Sequence, residues 1–97
     1  MIVGVCKLTF RLSESHELKS KRRVIGSVCS RVRNKFNVSV SEVDYNESWK
    51  MATLGVTCSS NSARHVDDVL SQVVSFIADT RLDLELVDQQ QETISGF

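Results

Sequence analysis

An α+β sandwich with a four-stranded antiparallel sheet is the fold class this sequence predicts, and three observations carry it. Apolar residues alternate in four stretches, the period of strands with one buried face. In two longer stretches they recur at spacings of three, four and seven, the period of an amphipathic helix. The six stretches run strand, helix, strand, strand, helix, strand, joined by short polar links. Two right-handed crossovers then put the first and third strands at the centre of the sheet and both helices on one face. That is a ferredoxin-like arrangement built from two similar halves.

Taken in order, residues 2–12 form a long strand. Ile2, Gly4, Cys6, Leu8, Phe10 and Leu12 share one face, and Val3, Val5, Lys7, Thr9 and Arg11 the other. Residues 13–17 are a polar turn, with Ser15 as the expected N-cap and Glu17 in the first turn of a helix. That helix covers 18–36, with Leu18, Ile25, Val28, Cys29, Val32 and Phe36 as its apolar face. Residues 37–45 read as the second strand. Its alternation slips at Val43, which predicts a bulge near Ser41 or Glu42. After a turn at 46–48, residues 49–59 read as the third strand, antiparallel to the second. Asn61 or Ser62 caps a helix to Thr80 with Ala63, Val66, Val69, Leu70, Val73, Val74 and Ile77 inward. Residues 81–87 form the last strand with Leu82, Leu84 and Leu86 inward, and 88–97 read as a polar tail that either extends the strand or trails off.

The 97 residues form one domain, 1–97. A chain of this size buries roughly 60–70% of its unfolded surface, enough for one two-layer core. Twelve basic and twelve acidic residues cancel, so no overall field draws the protein onto an anionic partner. The halves differ, however. Residues 1–48 carry nine basic and five acidic residues, and 49–97 carry three and seven. Cys6, Cys29 and Cys58 are odd in number, widely spaced and at apolar positions, which reads as buried reduced thiols. No secretory signal is expected at the N-terminus, and no apolar run approaches the ~20 residues that cross a bilayer. A cytoplasmic protein without membrane attachment is the expectation.

The first helix holds most of the basic charge. Lys19, Lys21, Arg22, Arg23, Arg31, Arg33 and Lys35 all fall within it, and no acidic residue occurs from Leu18 through Ser41. At ideal helical geometry Lys19, Arg22, Arg23 and Arg33 occupy about 100° of arc, together with Gly26 and Ser30. Cations flanking a floor of small residues suit a phosphate backbone; the alternative is a solvated helix face. Lys21 projects toward the apolar side, where its stem can follow the core while its ammonium stays in water. The sheet face opposite the helices would carry Val3, Val5, Trp49, Met51 and Val87, which suggests a homodimer, a protein partner or a small-ligand face, against the plainer reading of a half-solvated sheet.

Support for catalysis is thin. His16 sits in a surface turn, and His65 has only the same-helix neighbours Ser62 and Asp68. Glu42, Asp44 and Glu47 read as a solvated acidic turn rather than a metal site. No glycine-rich phosphate loop is present, so no nucleotide or other cofactor is expected. The glycine-rich, arginine-ended loop of acylphosphatases, which share this size and fold, is missing after the first strand; a small phosphoryl or acyl hydrolase is the weakest reading. The aromatic pair of an RNA-recognition-motif sheet and the GxxG loop of KH domains are absent too.

LKSKRR at 18–23, FNVSVSEVD at 36–44, WKMATLGV at 49–56 and the ARHVDDVL…VVSFI pattern of the second helix resemble the YlxP-like small bacterial proteins, a family of unknown function. The resemblance runs from about residue 1 to 90. It implies the same ferredoxin-like fold, with no established activity and no catalytic residues to carry over. Genes of that family often lie beside those for a translation initiation factor and a ribosome-maturation factor, which implies a bacterial protein working near the ribosome. The resulting expectation is a non-enzymatic protein that binds ribosomal RNA or the ribosome through Lys19, Arg22, Arg23 and Arg33, supported by Lys21, Arg31 and Lys35.

Overall fold

The computed structural model describes all 97 residues as β1 (Ile2–Leu12), α1 (Leu18–Lys35), β2 (Ser39–Asp44), β3 (Met51–Ser60), α2 (Ala63–Thr80) and β4 (Leu84–Ile94). The sheet order is β2-β3-β1-β4, and every neighbouring pair is antiparallel. The first and third strands are therefore central, and the two helices cover one face in the ferredoxin-like α+β arrangement that the alternation predicts. α2 packs over β1 and β3, and α1 over the edge strand β2.

The core follows from the two periodicities. Cys6, Leu8, Phe10 and Leu12 of β1 meet Ala52, Leu54 and Val56 of β3 beneath Val66, Leu70, Val73 and Ile77 of α2 and Ile25, Val28, Cys29 and Val32 of α1. Each large side chain so buried contributes about 1.5–3 kcal/mol before chain entropy is counted. Gly4 lets α2 approach β1: a Cβ there would collide with Val66 and stand 2.8 Å from a Leu70 methyl. Ser62 caps α2 by accepting the His65 N–H at 3.3 Å.

Several local expectations are corrected. α1 begins after Glu17, and no side chain caps it; Ser15 is buried and its hydroxyl instead donates to the Glu17 carbonyl. The β2 bulge, by contrast, falls where the slipped alternation put it, between Glu42 and Asp44, with the Val43 side chain over Gly55. Ala63 is exposed rather than inward. Trp49 precedes β3 rather than opening it. The largest departure is β4. Residues 81–83 form a turn in which Leu82 is 91% exposed, and the strand then continues through Ile94, so most of the polar tail is sheet. β1 imposes this, because its residues from Val3 to Leu12 pair with β4 whatever side chains β4 carries.

Candidate functional site

α1 is unusual in where it puts its charge. Lys19, Arg22, Arg23, Arg31, Arg33 and Lys35 are all exposed. The ion pairs of the molecule are Arg11–Glu85 at 3.2 Å, Lys21–Glu42 at 2.5 Å and Arg81–Asp83 at 2.7 Å, which leaves Lys19, Arg22, Arg23 and Arg31 without an acidic partner. The first turn of α1 holds no acidic residue and so sets basic side chains against the positive end of the helix dipole. Gly26 lies in the middle of the cationic arc, with nothing within 4 Å of where its Cβ would be. Glycine in a helix interior costs about 1 kcal/mol relative to alanine, and here no packing contact requires it.

Arg33 and Lys35 are partly engaged. Arg33 Nη2 donates to the Val40 carbonyl of β2 at 2.8 Å, using one of its five N–H donors. Lys35 Nζ stands 5.4 Å from the Phe76 ring centre and 6.0 Å from that of Phe36, in cation–π range. The two rings meet edge to face at 5.7 Å, which ties the end of α1 to α2.

Lys21 is a correction. It is fully buried, so neither phosphate nor water reaches its ammonium. Its position falls on the core-facing side of α1 among Ile25, Val28 and Val32, and its stem runs inward. The ammonium meets Glu42 Oε2 at 2.5 Å and donates to the Tyr45 carbonyl at 2.8 Å. Glu42 Oε2 has no aligned hydrogen bond, so the ammonium's charge is what balances it. A signal for this pair was present in the sequence: Val38, Val40 and Glu42 share one period-two face, which places the carboxylate inward opposite the one lysine on the apolar face of α1.

The other acidic residues of this region do not converge. Asp44 lies on the opposite sheet face from Glu42 and accepts the Tyr45 N–H at 2.8 Å, and Glu47 is exposed in the turn. His16 is exposed, and His65 is exposed beside a cavity of about 210 Å³ shared with Lys35, Phe36 and Cys58. All three cysteines are free. Burial pushes each thiol up; Asp67 adds to the rise at Cys58, whereas at Cys29 the Arg33 charge works against it and Glu42 with it. None therefore has the lowered pKa of a nucleophilic thiol.

The open sheet face is less apolar than expected. Val3 and Val5 are half-buried there, flanked by Ser59 and Thr57 on one side and Ile94 and Glu92 on the other. Lys7 and Thr9 separate them from Arg11 and its partner Met51. Val87 sits in the irregularity where β4 shifts register against β1, and Trp49 lies outside the strand. At the centre, the Thr9 and Thr53 hydroxyls join at 2.8 Å. Along β1, Val3 and Val5 thus stand apart from the end of the sheet that carries Met51.

No helix is long and apolar enough to cross a membrane. The chain is similar in structure to the de novo designed protein Foldit4, with a TM-score of 0.55 at 12% identity over 98% of this chain and 99% of that one, a likeness of fold alone. It is 33% identical over 76 residues to the uncharacterized protein YlxP of Bacillus subtilis (strain 168), covering 78% of this chain and 83% of that protein. The family model described as protein of unknown function (DUF503) matches residues 3–91. By that match and that relative, the chain belongs to the DUF503 family, as its motifs implied.

Proposed function

We propose that the protein is a non-enzymatic, cytoplasmic RNA-binding protein that docks on ribosomal RNA through the exposed face of α1. The observation that carries this reading is the unpartnered cationic arc around Gly26. Lys19, Arg22 and Arg23 are exposed with no acidic partner, Lys19 in a first turn that disfavours positive charge, beside a glycine that no packing contact demands. A phosphate backbone would answer each feature. Its charges balance the cations, its oxygens take the Arg and Lys donors, and its close approach needs the low floor of Gly26 and Ser30. Arg33 adds donors on the β2 side, and Arg31 lies on the opposite flank.

The test is co-sedimentation with ribosomal particles from a bacterial lysate at low and raised salt. Wild type should travel with a subunit and release as salt rises, because each phosphate contact contributes roughly 0.7–0.9 to the log–log salt slope. The Arg22→Glu, Arg23→Glu variant should stay at the top of the gradient. A wild type that never enters the gradient, or a variant that travels with it, would sink the reading.

A further inference from the structure

We infer that the RNA taken by α1 is single-stranded, and that its bases stack on Tyr45 and Trp49 in the link between β2 and β3. The inference rests on the reading of α1 as a phosphate-binding surface and names the kind of RNA that surface would hold.

The link is fastened to the N-terminal half of α1. The Tyr45 carbonyl accepts from Lys21 Nζ at 2.8 Å and from the Ser48 N–H at 2.9 Å. Lys21 projects from the core-facing side of α1, so its buried ammonium holds the link under the N-terminal turns of the helix whose outer side carries Lys19, Arg22 and Arg23. The Ser48 hydroxyl accepts the N–H groups of Lys50 and Met51 at 3.3 and 3.1 Å, fixing the approach to β3. Residues 45–48 close as a turn, whose ends lie within about 7 Å.

Both rings stand out of this fastened link. Tyr45 has φ 59°, a left-handed conformation that is costly for a bulky residue, yet the side chain stays 46% exposed. Burial of the ring is therefore not what offsets the strain. Trp49 is 38% exposed, and Lys50 Nζ lies 4.7 Å from the centre of its ring. The Asp44 carboxylate is occupied by the Tyr45 N–H, and Glu47 is the one acidic residue of the turn without a partner. Aromatic faces interleaved with cations are what an unpaired strand requires, since its bases present their π-faces while its phosphates follow the charge. A duplex keeps those faces stacked inside, and two protruding rings would gain nothing from it.

Trp49 is the chain's single tryptophan, so its emission reports on this site alone. The full chain would be titrated at low salt with an unstructured RNA of about 12 nucleotides, within the range that one small module covers, and with the blunt duplex of the same sequence. Anisotropy of labelled RNA and Trp49 emission would both be read. The expected result is tighter binding of the single strand with quenching of Trp49. Tyr45→Gly and Trp49→Ala should each weaken single-strand binding roughly 5- to 100-fold and leave duplex binding unchanged. Tyr45→Gly also relieves the strained φ, so its loss of affinity cannot be laid to unfolding. If both RNAs bind equally, Arg22→Glu, Arg23→Glu abolishes that binding and Trp49 emission does not move, the stacking inference is overturned while the basic-helix reading stands. If neither RNA binds at low salt, both fall.

Discussion

α1 and α2 have the same length and lie on the same face of one sheet, yet they are stabilised differently. α2 has a hydroxyl cap at Ser62, four buried aliphatic residues on β1 and β3, and a link to β4 in which the Thr93 hydroxyl donates to Asp67 at 3.1 Å. α1 has no side-chain cap, no acidic residue, a glycine at its middle, and like charges one turn apart at Lys19 and Arg23 and at Arg31 and Lys35. On its exposed face only the helix propensity of Arg and Lys, and the basic residues Arg33 and Lys35 in the last turn, favour a helix. What holds it is tertiary: four apolar contacts with the core, the Lys21 ion pair and the Phe36–Phe76 contact. A helix kept in place from below leaves its upper surface free for another purpose, and α2 gives up less of its local stability in this way.

The comparison can be broken most severely at Lys21. Lys21→Met leaves the enclosed Oε2 of the partly exposed Glu42 without its cation and should cost up to about 3 kcal/mol in urea unfolding, a large part of the stability of a domain this size. Pairing it with Glu42→Leu should recover most of that loss, because both desolvation penalties then disappear. Next comes Arg22→Glu, Arg23→Glu, which should lower RNA affinity at least about 100-fold at low salt. Its melting temperature should not fall, since acidic side chains suit the first turns of a helix.

Gly26 sharpens the contrast at a smaller scale. Gly26→Ala should stabilise the fold by about 1 kcal/mol in thermal denaturation, and Gly26→Leu should fold as well while weakening RNA binding by its bulk. Smallest is the pH dependence of the turn before β4. The hydrogen bond from Arg81 holds the Asp83 carboxyl below the usual range, with burial opposing it. A carboxyl with a lowered folded pKa stabilises the fold above its unfolded value and loses that contribution as pH falls through the folded one. Stability at neutral pH should thus exceed that below about pH 4 by under about 1 kcal/mol from this pair. Arg81→Ala should remove the difference in acid titration of the melting temperature.

The fold was legible because its core is periodic. β1 alternates without a break and α2 recurs at three and four, so those elements, the Ser62 cap and the bulge beside Glu42 could be read directly. β4 was only half legible. Gln89, Gln90 and Gln91 carry no apolar alternation, and what makes them a strand is the backbone of β1, which hydropathy does not register. Leu82 misled for the converse reason: its alternation with Leu84 and Leu86 is interrupted by a turn that Arg81 and Asp83 fasten with hydrogen bonds of 3.0 and 2.7 Å. At the candidate site, the cationic arc was visible as a run of basic residues, but the fate of Lys21 depended on a carboxylate 21 positions away. The Tyr45–Trp49 link was invisible as a surface, because only the tether to Lys21 brings it beside α1.

Arg33 has a second consequence, which concerns how copies of the protein behave in a crowd. A sheet with two free edges offers templates for accretion, and the two are guarded differently here. β4 is long but bears Glu85, Asp88 and Glu92, whose repulsion discourages self-pairing. β2 is short and has no lysine or proline of its own, and its Val40 carbonyl is occupied by Arg33. Arg33→Ala would uncover that edge, and light scattering of a concentrated sample should rise even with no RNA present. The same guanidinium that we propose faces a phosphate would then also be a gatekeeper against aggregation.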